Sequence, residues 1–287
     1  MFSRKYVFRG ILLIVVLGML FAPVSTESLW SSELLNSGHT ILFVFVVFVI
    51  HPLVKMKVRK PNVLSVYFYV LALGFLLGVF IEILQTMVGR EASLNDLYRN
   101  FFGLMAGIFL HAAFSIFDIY RKRLVAVFLV LCGVLFIYLG MAQLIRLSWH
   151  YIERADAFPV IADIDSRWIS SFIRYNEGSY PGVALIEPEP DWSAYSYFRF
   201  KVHSANGYVT NLVLRVHDKM HNQEYSDRYN IKLEIKPGFN EFEVPLKSIR
   251  YGPVDRELEL DNIAGVILYS RNQEEWSQVV LSDFSLK

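Results

Sequence analysis

Five apolar runs, each near the length of a membrane-crossing helix, constrain the first half of this 287-residue chain more than any other feature. A hydrocarbon core needs roughly 20 residues per helical crossing, and residues 6–24, 39–54, 63–88, 97–117 and 124–147 approach or reach that length. Backbone immersed in lipid must satisfy its own N–H and C=O groups, so these runs predict a membrane α-helical bundle of about five transmembrane helices. The run at 39–54 is the shortest. Residues 6–24 follow Arg4, Lys5 and Arg9 as a signal peptide would, but "FAPVSTES" offers no A-x-A-like cleavage site, so an uncleaved anchor is expected.

Charge divides the chain in the same place. Residues 1–150 carry 13 Lys and Arg against 6 Asp and Glu, a surplus of +7, and the remainder carries 15 against 21, or −6. A basic embedded half joined to an acidic soluble half leaves no broad basic face for nucleic acid. The basic residues cluster at the N-terminus, in "KMKVRKP" and in "RKR" at 121–123, all on one predicted side. The positive-inside rule puts that side in the cytoplasm. The segments "STESLWSSELLNSG" and "GREASLND" are then outward loops, and everything beyond residue 150 is extracytoplasmic. Cys132, the lone cysteine, lies in an apolar run and reads as a small buried hydrophobe.

From Tyr151 onward the period changes to two. "YSYFRFKVH", "NLVLRVHD", "RYNIKLEIK", "NEFEVPL", "AGVILYS" and "QVVLSDFSL" alternate between turn signals such as Asn206-Gly207, Pro237-Gly238 and Gly252-Pro253. These are antiparallel strands at the spacing of an all-β jelly-roll sandwich. The expected division is 1–148 for the membrane domain and 149–287 for the sandwich, with a short tether near 148–157.

Polar residues interrupt the third and fourth runs on one side. At 100° per residue, Gly74, Gly78, Glu82 and Gln85 fall within about an 80° arc, and Asp96, Asn100, Gly103 and Gly107 within about 60°. Two antiparallel helices would then meet glycine stripe to glycine stripe, bringing their polar ends together near the outer interface. Arg90 and His39 are placed to join them. Ser93, three residues before Asp96, reads as the N-cap of a capping box. Intramembrane ionisable groups mark a site by default, whereas His111, alone at its depth, reads as a packed core histidine.

The run "IEILQTMVGREASLNDLYRNFFGLMAG", with "GHTILF" upstream, resembles the VanZ-like family over about residues 5–120. The family's motif corresponds here to Glu82, Gln85, Arg90, Ser93, Asp96, Asn100, Gly103 and Gly107, with His39 in the preceding helix. An Asp-Lys pair often precedes the family's histidine, and here Ser37 and Gly38 stand in that place. The resemblance implies an envelope membrane protein linked to teicoplanin-type glycopeptide resistance.

The segment from "LVLRVHDKMHNQEYSDRYNIKLEIKPGFNEFEVPLKSI" to "GPVDRELELDNIAGVILYS" resembles galactose-binding-like jelly rolls of the carbohydrate-binding-module type. Sugar sites pair an aromatic platform with planar polar side chains. The residues offering these are His217, Asp218, His221, Tyr225, Asp227 and Arg228, with Trp276 as a stacking ring. His217 and His221 sit at a strand end, where an i, i+4 pair does not make a zinc site, so no metal-ligand set is expected; a structural calcium at Asp218 and Asp227 is the one cofactor left open. No nucleophile–base or paired-acid pattern appears in this half. The expected partners are membrane lipid and an envelope glycan or glycolipid, and a binding protein is expected rather than an enzyme. The alternative is a membrane enzyme acting on a lipid-linked envelope precursor through Glu82, Asp96 and His39.

Overall fold

A computed structural model describes residues 28–58, 62–87, 93–117, 119 and 122–287. The expected first span at 6–24 and Arg90 lie outside the described residues. The chain divides into two compact units, Met1–Arg146 and Leu147–Lys287.

Among the described residues, four helices are long and apolar enough to cross a membrane: α1 (Leu29–Lys57), α2 (Val63–Met87), α3 (Leu94–Ile116) and α4 (Arg123–Ala157). Two extend about ten residues beyond their apolar runs. α1 begins ten residues before the run at 39–54, because the Ser28 side chain caps it by accepting from the Ser31 N–H. Most of "STESLWSSELLNSG" is therefore helix rather than loop. α4 continues through residues 148–157, so the segment expected to be a tether is helical.

α1 packs most extensively on α3. A Cβ added at Gly103 would lie 2.3 Å from the Thr40 carbonyl oxygen, and one at Gly107 2.7 Å from that of Val44. The α3 glycines thus admit the α1 backbone. Those of α2 face α3 side chains instead: a Cβ at Gly74 would meet Leu104, and one at Gly78 would meet Asn100. The two stripes do not face each other as expected; each accommodates a different neighbour. Phe43, Val47, Val70 and Leu104 fill the space between the three helices.

The second unit is the two-sheet sandwich expected from its alternation. Its strands are β1 (Val160–Ala162), β2 (Ile173–Asn176), β3 (Gly182–Ile186), β4 (Tyr197–Ser204), β5 (Thr210–Asp218), β6 (Tyr229–Ile235), β7 (Gly238–Pro245), β8 (Ile263–Tyr269) and β9 (Val279–Leu286). One sheet has the order β1-β9-β4-β7, and the other β2-β3-β8-β5-β6. Alternate residues turn inward: Phe198, Phe200 and Val202 from β4, Leu212, Leu214 and Val216 from β5, and Val266 and Leu268 from β8 are fully buried. Phe200 stacks on Phe284 of β9 with ring centroids 5.7 Å apart, and Trp192 stacks on Phe198 at 5.1 Å. The opposite set of β5, Val213, Arg215 and His217, faces outward and is only half-buried.

Candidate functional site

Three helices bring a polar cluster together inside the membrane unit. His39 of α1, Glu82 and Gln85 of α2, and Asp96 and Asn100 of α3 are all buried. His39 Nδ1 lies 3.1 Å from Asn100 Oδ1. Ser93 caps α3 by accepting from the Asn95 N–H, and its own N–H donates to Glu82 Oε2 at 3.1 Å. The reciprocal leg of the expected capping box is thus supplied by Glu82, because the Asp96 carboxylate turns to Arg99. His39, Glu82 and Asp96 each offer one ligand-type atom within 4.8 Å of the other two, so this set can share a proton or hold a cation.

The cation beside Asp96 is one that sequence reasoning missed. Arg99 donates from Nη1 to Asp96 Oδ1 at 2.7 Å, and from Nη2 to Glu33 Oε1 and to Gln143 Oε1, each at 2.5 Å. A guanidinium shared between two carboxylates and an amide is well matched to its forked donors. Glu33 was hidden because its segment reads as a loop, and Gln143 because it sits alone in a long apolar run. His111 is not isolated either: its Nδ1 lies 3.0 Å from the Tyr67 hydroxyl, and its ring centroid 3.9 Å from that of His51.

In the sandwich, the candidates divide into two groups. Asp218 and Asp227 are bridged by Arg256, a residue outside the expected set. Its Nη1 and Nη2 donate to the two Asp218 oxygens at 2.6 and 2.7 Å, and its Nε donates to Asp227. Burial alone would raise the Asp218 carboxyl, but the Arg256 hydrogen bonds and the Glu259 N–H together hold it below the usual carboxylate range. Arg256 and the Asn222 N–H hold Asp227 down at about 2. His221 is buried between Arg215 Nη2, 3.0 Å from its Nε2, and the Asp227 carbonyl oxygen, 2.8 Å from its Nδ1. These residues brace the β5–β6 connection. Trp276 is half-buried in a short helix, Gln273–Trp276.

The second group belongs to an open groove of about 380 Å³ across the outer face of the five-stranded sheet. Its floor is low because Gly182 and Ala184 of β3 pair with Tyr269 and Ile267 of β8. Its walls are Tyr180, Tyr225 and Tyr269 with Arg215, Arg228 and Arg271, and among the described residues no carboxylate lines it. Arg228 lies over the Tyr225 ring, 5.1 Å from its centroid. Tyr225 and Arg228 were expected from the sequence. The other four were not, because they come from separate strands and from the residues that follow them.

Residues 2–118 of the chain match the VanZ/LLP1 family model. This segment is a VanZ-like domain. A search of the curated proteins found no match. Among solved structures, the chain is similar to a family 11 carbohydrate-binding module from Clostridium thermocellum in complex with a β-1,3-1,4-mixed-linked tetrasaccharide. That likeness has 20% identity and a TM-score of 0.31, and covers 37% of this chain and 67% of the module. The chain is also similar to an exo-β-agarase, with 15% identity and a TM-score of 0.32, covering 45% of this chain and 24% of the agarase. The sandwich assignment itself rests on the two sheets of this chain.

The VanZ-like domain thus gathers four residues of its motif, His39, Glu82, Asp96 and Asn100, around contacts that cross between helices, with Ser93 at their edge. Gln85 is buried on the same face of α2 as Glu82 and Gly78. Further along the chain, the sandwich holds one strongly perturbed histidine. Burial, followed by the nearby Arg215 and His221, lowers the His217 pKa to about 4. The unfolded imidazole titrates near 6.5, so between these values the folded chain binds fewer protons than the unfolded one. Stability should therefore fall by roughly 2 kcal/mol as the pH drops from 6.5 towards 4. Chemical denaturation of the wild type and of His217→Gln at neutral and acidic pH checks this: the variant should lose that part of the slope, and equal slopes would refute the assignment.

Proposed function

We propose that this is a bacterial envelope protein that recognises an anionic saccharide in the groove of its sandwich, while the buried cluster of its VanZ-like domain engages the polar headgroup of a membrane lipid or lipid-linked glycan. The observation that carries the reading is the lining of the groove. Tyrosine rings offer apolar faces to sugar C–H groups, and guanidiniums offer forked donors to hydroxyls. Three arginines without a lining carboxylate favour a saccharide bearing carboxylate or phosphate. The placement of Lys and Arg along the chain supports an inner-membrane location with the N-terminus in the cytoplasm and the sandwich outside. A link to glycopeptide resistance of the teicoplanin type belongs to the same reading, as what the VanZ-like resemblance implies.

The test is an array of anionic and neutral envelope saccharides probed with the full chain in detergent. Acidic saccharides should be retained in preference to neutral ones. Tyr269→Ala or Arg271→Ala should weaken that binding about tenfold, or roughly 1.4 kcal/mol. Folded protein that retains no saccharide would remove the sandwich half of the proposal.

A second reading is favoured by the convergence of His39, Glu82 and Asp96 from three helices. It is a membrane enzyme acting on a lipid-linked envelope precursor, with these groups moving protons or polarising a phosphate. Turnover of such a precursor that survives in Glu82→Gln would remove it.

A further inference from the structure

We propose that His39, Glu82 and Asp96 form a binding site for a divalent transition-metal cation of the zinc or manganese class. One imidazole nitrogen and two carboxylate oxygens, drawn from three helices, lie within 4.8 Å of one another and are buried. Ligand atoms on one tetrahedral zinc stand roughly 3.4 Å apart, given metal–ligand distances near 2.1 Å. The set is therefore within a small closing movement of coordination. An imidazole with two carboxylates suits zinc, manganese or iron, and three protein ligands leave a coordination position for an outside group.

Each candidate ligand is also held in place by a neighbour. With Asn100 Oδ1 as acceptor, His39 Nδ1 carries the proton and Nε2 the lone pair. Glu82 Oε2 accepts from the Ser93 N–H, and Asp96 Oδ1 from Arg99. Such outer contacts fix the orientation of metal ligands.

One further observation points to something bound. Asn100 is 1% exposed, yet among the described residues its Nδ2 has no hydrogen-bond partner. A buried orphan donor is costly, and an oxygen carried in by the metal would satisfy it. The site stands whether or not the sandwich binds saccharide.

The experiment uses the full chain purified in detergent, stripped with a chelator and reloaded with zinc or manganese ions alone, with bound metal measured after desalting. About one metal per chain is expected, the number a single mononuclear site holds. Glu82→Gln and His39→Gln should abolish it, and Asn100→Ala, which removes only an orienting contact, should weaken affinity roughly tenfold or more. Metal-free wild type at saturating zinc and manganese would overturn the proposal, and so would equal metal in the wild type and folded Glu82→Gln. Should the variants fail to fold, the wild type decides alone: bound cobalt should give the visible absorption of nitrogen and oxygen coordination, and its absence would overturn the site. Saccharide binding is scored separately, so failure of one proposal leaves the other measurable.

Discussion

Arg99→Met is expected to destabilise the membrane unit by roughly 3–5 kcal/mol, the effect of removing one partner from a buried ion pair. Arg99 is 6% exposed and serves three acceptors on three helices: Asp96 of α3, Glu33 of α1 and Gln143 of α4. Methionine fills much of the same volume, so little of the loss would come from a cavity. Most of it comes from two carboxylates left without their cation. The mechanism has its own control, since Arg99→Met combined with Glu33→Gln and Asp96→Asn should recover much of the stability. Thermal unfolding in detergent, followed by circular dichroism, measures both. A single variant melting like the wild type would mean that the trident does not hold the helices together.

The second large effect belongs to Arg256→Met, again about 3–5 kcal/mol. Asp218 is 1% exposed and would keep only the Glu259 N–H, at 2.8 Å, in place of three hydrogen bonds. The pH dependence distinguishes this mechanism from simple loss of packing. In the wild type both aspartate pKa values are depressed, so their stabilisation is present above the unfolded value of 3.8 and is lost as the pH falls towards about 2. In the variant, burial would raise Asp218 instead, and protonation would relieve the buried charge. The stability gap between the two proteins should therefore narrow as the pH falls below neutrality. A gap constant down to pH 4 would assign the loss to packing.

The difference between what the sequence disclosed and what it hid has a physical cause. Helical and two-residue periods report which face of an element is buried, and so the four described helices and β4 to β9 were legible. β1, β2 and β3 were missed because runs such as "VIA" and "IRYN" are too short to display a period. The polar residues of the cluster were visible because each is improbable in an apolar run. Their partners were not, since Arg99 reads as an ordinary interfacial charge and its acceptors Glu33 and Gln143 are 66 and 44 residues away. Arg256 was concealed in the same way, in a turn-rich stretch 38 residues beyond the aspartate it neutralises. The expected meeting of glycine stripes failed for a related reason: periodicity shows which face carries the glycines but not which helix will lie against it.

The contact at Gly103 reaches further than its own position. Because that hydrogen-only side chain abuts the Thr40 carbonyl, it acts as a spacer gauge between two rods, and the neighbouring imidazole at 39 and amide at 100 inherit their separation from it. Changing that gauge by a single methyl would retune the spacing of groups it never touches. The geometry of the polar cluster is thus adjustable from a place where none of its polar atoms resides.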